Sequence, residues 1–110
     1  MTRRIEQLNE QLKSELAGLI AKEINLSHGL ITVCLVRCST DLKHAKVAVS
    51  VLPDKLAGTA LSSLRQHSSS FSQALRQKLK IRQIPRFHWT LDTTESRAAK
   101  IEEIIKMSNF

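Results

Sequence analysis

Apolar residues recur at steps of three and four near the start of the chain: Ile5, Leu8, Leu12, Leu16, Leu19, Ile20 and Ile24. That spacing predicts one stripe of an amphipathic helix over residues 4–24. Glu6, Glu10, Lys13, Glu15, Lys22 and Glu23 fill the other face. Asn25 to Gly29 break the period and read as the helix exit. Residues 30–39 are then rich in β-branched and apolar side chains, and residues 45–52 alternate, with Val47, Val49 and Val51 opposite Lys46, Ala48 and Ser50. These predict two strands. The short link Thr40-Asp41-Leu42-Lys43-His44 makes them an antiparallel hairpin.

Pro53-Asp54 ends the second strand, and a helical stripe follows through Leu61, Leu64, Ser68, Phe71, Leu75 and Leu79, with Thr59 placed as the N-cap. The stripe passes through Ser68-Ser69-Ser70, three residues whose hydroxyls compete for the backbone. The expectation is two helices of nearly shared phase with a kink or break at Ser68, Ser69 and Ser70. Ile84-Pro85 ends the helical region. Arg86 to Leu91 alternates again, with Phe87, Trp89 and Leu91 inward. Asp92-Thr93-Thr94-Glu95 resembles a capping box that opens a last helix with Ala98, Ile101, Ile104 and Ile105 on one side. The expected fold is α+β: α-β-β-α-α-β plus a C-terminal helix, with a three-stranded sheet and helices on one face. At 110 residues the chain reads as a single domain, residues 1–110 with a core of about 4–106.

Charge changes this picture more than composition does. Lys55, Arg65, Arg76, Lys78, Lys80, Arg82 and Arg86 fall between Lys55 and Leu91, a stretch with no Asp or Glu. Those seven equal the net charge of +7, and the rest of the chain is balanced. A block of one sign attracts a polyanion, and nucleic acid is the first candidate because each neutralised phosphate releases a counterion. Arg65, Arg76, Lys78, Lys80, Arg82 and Arg86, with Lys43 and Lys46 at the hairpin, are the candidate RNA-binding residues. They are suited to phosphate contacts, which position without reading sequence. Aromatic content is only 4%, which disfavours a base-stacking platform.

Other chemistry is not indicated. Cys34 and Cys38, four apart in a strand, would share a face about 13 Å apart, too far for a disulfide. His28, His44, His67 and His88 lack metal-ligand spacing. Asp41 reads as a turn residue bonding its own backbone. No apolar run approaches a membrane span, and no signal peptide is visible. The expectation is a cytoplasmic chain that is not an enzyme, with no metal, no cofactors and no membrane partner.

Two segments resemble a known family. Ile31-Thr32-Val33 followed by Ser39-Thr40-Asp41-Leu42-Lys43-His44-Ala45-Lys46-Val47 is similar to a strand-turn-strand signature of bacterial ribosome-binding factor A. The residues carrying it are Ser39, Asp41, Leu42, Ala45 and Val47. Leu79-Lys80-Ile81-Arg82-Gln83-Ile84-Pro85, with Phe87 and Asp92 beyond, resembles a second segment, marked by Pro85. Arg4-Ile5 and Glu15-Leu16-Ala17 also fit. The resemblance implies a type II KH-like RNA-binding fold. It also implies a non-catalytic assembly factor that binds the free 30S ribosomal subunit and its precursors. Such a factor assists late maturation and processing of 16S rRNA, including under cold conditions, as a monomer. It leaves open assembly GTPases as further partners. The sequence departs from that pattern. No Gly-x-x-Gly is present, and the family's Ala-x-Gly kink is matched by His67-Ser68-Ser69. Asn25-Leu26-Ser27-His28 replaces an Asp-Pro-Arg-like segment, and Ala48 stands where a tyrosine is frequent. An alternative compatible with the missing Gly-x-x-Gly is a KH-like protein-interaction module without direct RNA binding.

Overall fold

A computed structural model describes residues 2–79 and 81–92. Helix α1 spans Thr2–Glu23 and is followed by strands β1, Leu30–Cys38, and β2, His44–Leu52. A single 3₁₀ turn, Asp54–Leu56, leads into helix α2, Ala57–Leu79, and strand β3, Arg86–Leu91, follows. Lys80 and the helix expected after Asp92 lie outside the described residues.

The sheet order is β1-β2-β3; β1 and β2 are antiparallel, and β3 runs parallel to β2. The parallel pairing follows from the crossover. A strand that returns through a helix comes back in the same direction, whereas a tight hairpin reverses it. One face of all three strands meets both helices in one core. Leu12, Leu16 and Ile20 of α1 join Val33, Val36, Val47 and Val49 of the hairpin, Leu64, Phe71 and Leu75 of α2, and Phe87 and Trp89 of β3. The expected α+β architecture with helices on one face is therefore present.

Two expectations are corrected. The central helical region is one uninterrupted helix, not two: α2 carries Ser68, Ser69 and Ser70 in its middle. Three serines cost at most about 2 kcal/mol of helix propensity relative to alanine. The burial of Leu64, Phe71 and Leu75, each at 1% exposure or less, contributes about 1.5–3 kcal/mol apiece and outweighs it. Ser68 also returns its hydroxyl to the Leu64 carbonyl at 3.0 Å, which keeps it within the helix. Thr59 is correspondingly not the N-cap, because α2 already begins at Ala57, directly from the 3₁₀ turn.

The second correction concerns β1. Its register shifts between Val33 and Leu35, which pair with Val49 and Ala48, so Cys34 is the inserted residue of a β-bulge. The inward positions change from Val33 before the bulge to Val36 and Cys38 after it. The bulge at Cys34 thus interrupts the regular two-residue alternation on which the expected spacing of Cys34 and Cys38 rests. Cys38 is buried, which pushes its thiol pKa up, while Cys34 is half-buried and directs Sγ to the Thr32 carbonyl at 3.7 Å. On the outer edge of β1, the Cys38 N–H donates to Asn9 Oδ1 of α1 at 2.9 Å, so a helix side chain covers that part of the sheet edge.

Candidate nucleic-acid interface

The hairpin turn is built from its own polar side chains. The Ser39 hydroxyl donates to Asp41 Oδ1 at 2.6 Å and accepts the His44 N–H at 3.1 Å. The same carboxylate oxygen accepts the Lys43 N–H at 3.0 Å. These bonds hold the Asp41 pKa below the usual carboxylate value, the Ser39 hydroxyl first and the Lys43 amide next, with the positive charge of Lys43 assisting. Asp41 is thus the turn residue that the sequence suggested. Leu42 closes the turn at φ 60°, in the left-handed region, and its side chain packs against the core. Ala45 and Val47 then enter the core fully buried.

The turn also fixes the start of β3. The Arg86 N–H donates to the Lys43 carbonyl at 2.9 Å. Pro85, fully buried, precedes it. Lys43 and Arg86, far apart in sequence, are therefore brought to one place. Across from them, α2 presents Arg65, Ser69, Ser72 and Arg76, at steps of four, three and four that line up on one stripe. Between these elements lies an open cleft of about 770 Å³. Lys43, Arg65, Arg76 and Arg86 line it together with Ser68, Ser69, Ser72, Gln73 and Gln83. Among the described residues no Asp or Glu lines it. Phe87 and Trp89 contribute to its wall but are each only 7% exposed, so they do not offer faces for base stacking. Four cations, and polar side chains without a carboxylate, suit phosphate and sugar groups.

The cleft is joined to the core through one chain of hydrogen bonds. The Trp89 indole N–H donates to the Ser68 hydroxyl at 2.7 Å, which donates to the Leu64 carbonyl. Trp89 meets Phe71 edge-on at 6.1 Å, and His67 stacks on Phe71 at 5.8 Å while its Nδ1–H donates to the Ser63 carbonyl at 2.8 Å. Ser68, one of the residues matched to the family's Ala-x-Gly kink, thus pins α2 to β3.

Of the eight residues expected from the sequence, four converge on the cleft: Lys43, Arg65, Arg76 and Arg86. Lys78 does not. Its ammonium pairs at 2.8 Å with Glu15 of α1, an acid from outside the basic stretch. Arg82 is exposed in the exit segment, and Lys46 is exposed on the opposite face of the sheet, neither lining the cleft. Lys80 lies outside the described residues. The serine and glutamine contributors were not anticipated, although the stripe that runs from Arg65 to Arg76 carries two of them. Among the described residues no three His, Cys, Asp or Glu side chains converge as a metal-ligand set, and no helix is long and apolar enough to cross a membrane.

The sequence pattern of the ribosome-binding factor A family matches residues 4–105. The chain belongs to the ribosome-binding factor A family. It is 34% identical over 105 residues to ribosome-binding factor A of Alkalilimnicola ehrlichii, covering 93% of this chain and 81% of that one. Against the Dehalococcoides mccartyi protein of the same name it is 32% identical over 108 residues, 96% and 92% of the two chains. In three dimensions it resembles the crystal structure of ribosome-binding factor A from Thermus thermophilus. The TM-score is 0.68 at 28% identity, over 79% of this chain and 93% of that one. A Thermus thermophilus ribosome-binding factor A model fitted into the cryo-EM map of a 30S complex gives a TM-score of 0.64 at 27% identity. That match covers 76% of this chain and 90% of that one. The strand-turn-strand and pre-β3 segments of the sequence thus point to the family that residues 4–105 match.

Proposed function

We propose that this chain binds the 30S ribosomal subunit and its precursors and acts as a monomeric, non-catalytic assembly factor in late maturation of 16S rRNA. The observation that carries the reading is the cleft between α2 and β3, with Lys43, Arg65, Arg76 and Arg86 on its walls and, among the described residues, no Asp or Glu. Membership of the ribosome-binding factor A family supports it, as does the fold shared with a relative fitted into a 30S complex.

In this reading the cations contact phosphates, and each contact releases a counterion, so binding weakens as salt rises. Contacts to phosphate carry no sequence information. Selectivity then comes from the shape of folded rRNA against a rigid wall made by α2 and β3. The Trp89–Ser68 bond holds that wall in place. Sedimentation of cell extract on a density gradient tests the reading. The protein is expected to travel with small subunits, and a protein that stays at the top, away from them, overturns it.

A further inference from the structure

We propose that the hairpin end of the open sheet face is a second RNA-phosphate surface, distinct from the cleft, whose affinity rises as the His44–His88 pair takes up a proton. The proposal rests on the RNA-binding reading above and extends it to a face that the cleft does not include.

The face is defined by strand register. Arg37 of β1 pairs with Lys46 of β2, and Lys46 pairs in turn with His88 of β3. One step along, His44 pairs with Arg86. All five side chains are exposed, and the alternation that buries Ala45, Val47, Phe87 and Trp89 turns these to the other side. None of the three strands contains an Asp or Glu. Like charges directly opposite each other on a sheet destabilise it. The Arg37–Lys46 pair therefore carries a repulsion that a bound anion would relieve.

The two imidazoles add a proton-dependent element. His44 Nδ1 lies 2.9 Å from His88 Nε2, with the rings 5.1 Å apart and tilted by 40°. At that distance one nitrogen donates and the other accepts, so one of the two contacting nitrogens is without a proton. The first proton goes to the non-contacting nitrogen of the donor ring, which keeps the hydrogen bond and makes the pair cationic; a second proton turns the contact into donor against donor, and a phosphate oxygen placed there accepts from both. Imidazole is the side chain that changes charge in the neutral range. Among the described residues, the other groups around the pair are Lys46, Arg86 and Arg37 on the strands, and Lys43 and Asp41 in the turn. The Asp41 carboxylate is already engaged by Ser39 and Lys43. Arg3, Arg4, Glu6 and Glu10 of α1 line a separate groove with Thr40 and Leu42. The cationic surroundings disfavour a metal dication between the imidazoles and favour an anion.

The test uses the full chain with two probes, a short A-form RNA hairpin and purified 30S subunits. Variants are compared for the face (Arg37→Ala with Lys46→Ala; His44→Gln with His88→Gln) and for the cleft (Arg65→Ala with Arg76→Ala). Arg86 borders both surfaces and is left intact. The Arg37/Lys46 variant is expected to lower the slope of log affinity against log salt for the hairpin by about 1.4–1.8, two phosphate contacts. Wild-type affinity is expected to rise about three-fold or more between about pH 7.5 and about pH 6.0, and the His44/His88 variant to lose that rise. If the cleft variant weakens hairpin binding while both face variants leave slope and pH profile unchanged, this proposal falls and the cleft reading stands. If the face variants weaken 30S binding but not hairpin binding, the face docks a protein and the RNA proposal falls. Failure of the wild type to bind either probe overturns both readings. Thermal melts monitored by circular dichroism confirm folding, and the Arg37/Lys46 variant is expected to be no less stable than wild type.

Discussion

The indole N–H of Trp89 donates to the Ser68 hydroxyl at 2.7 Å, tying β3 to the middle of α2. The hydroxyl passes the interaction on to the Leu64 carbonyl, so one serine satisfies an indole and remains helical. Ser68→Ala leaves the indole donor without this partner and is expected to cost about 1–2 kcal/mol. Trp89→Phe removes the donor itself. The double variant is expected to be less destabilised than the sum of the two by about 0.5–1.5 kcal/mol. Urea unfolding checks this, by circular dichroism because Trp89 is the only tryptophan. Strict additivity would remove the bond from the account.

The serine run makes a second test. Ser69 is exposed inside a continuous α2. Ser69→Ala is therefore expected to stabilise by about 0.5 kcal/mol, through helix propensity alone, and Ser69→Gly to destabilise by about as much. A broken or frayed helix at this point would show neither effect in the unfolding midpoint.

What the sequence reveals and hides here has physical causes. Strand β3 is found between Arg86 and Leu91 as expected, because a buried proline ends the preceding segment and alternation is clean. The bulge in β1 is hidden because Ile31, Val33 and Leu35 on one parity and Cys34, Val36 and Cys38 on the other are all compatible with burial. Alternation then cannot choose a face. The serine run misleads because propensity is local, whereas Leu64, Phe71 and Leu75 are held by the sheet. The basic block is visible as charge, but its partition is not. Lys78 is neutralised by Glu15 from α1, and Lys43 joins Arg86 only through the backbone bond that starts β3.

The Lys78–Glu15 pair gives a third expectation. Lys78 is 66% exposed and Glu15 26%, so solvent screens the pair. Lys78→Ala is expected to change stability by no more than about 0.5 kcal/mol and to leave the affinity for small subunits within two-fold, about 0.4 kcal/mol. A larger loss of affinity would return Lys78 to the interface.

Asp41 sets the acid behaviour of the turn. Its folded pKa is depressed, first by the Ser39 hydroxyl and then by the Lys43 amide. A group of this kind contributes stability above its unfolded pKa, and that contribution is lost as pH falls through the folded value. The Lys43 and His44 amides are expected to exchange faster, relative to intrinsic rates, as pH drops below about 3.9, the ordinary aspartate value. In Asp41→Asn the acid-dependent step should disappear. Hydrogen-exchange NMR measures both, and a turn whose protection ignores acid would contradict the Asp41 network.

The cleft itself decides the central claim. The most direct measurement is the affinity of Arg65→Glu with Arg76→Glu for purified 30S subunits across a salt series, beside wild type. The expected result is a loss of at least about ten-fold at low salt and a shallower salt slope, with an unchanged thermal melt. Wild-type affinity and wild-type slope in the charge-reversed protein would contradict the assignment of the α2–β3 cleft as the rRNA-binding surface.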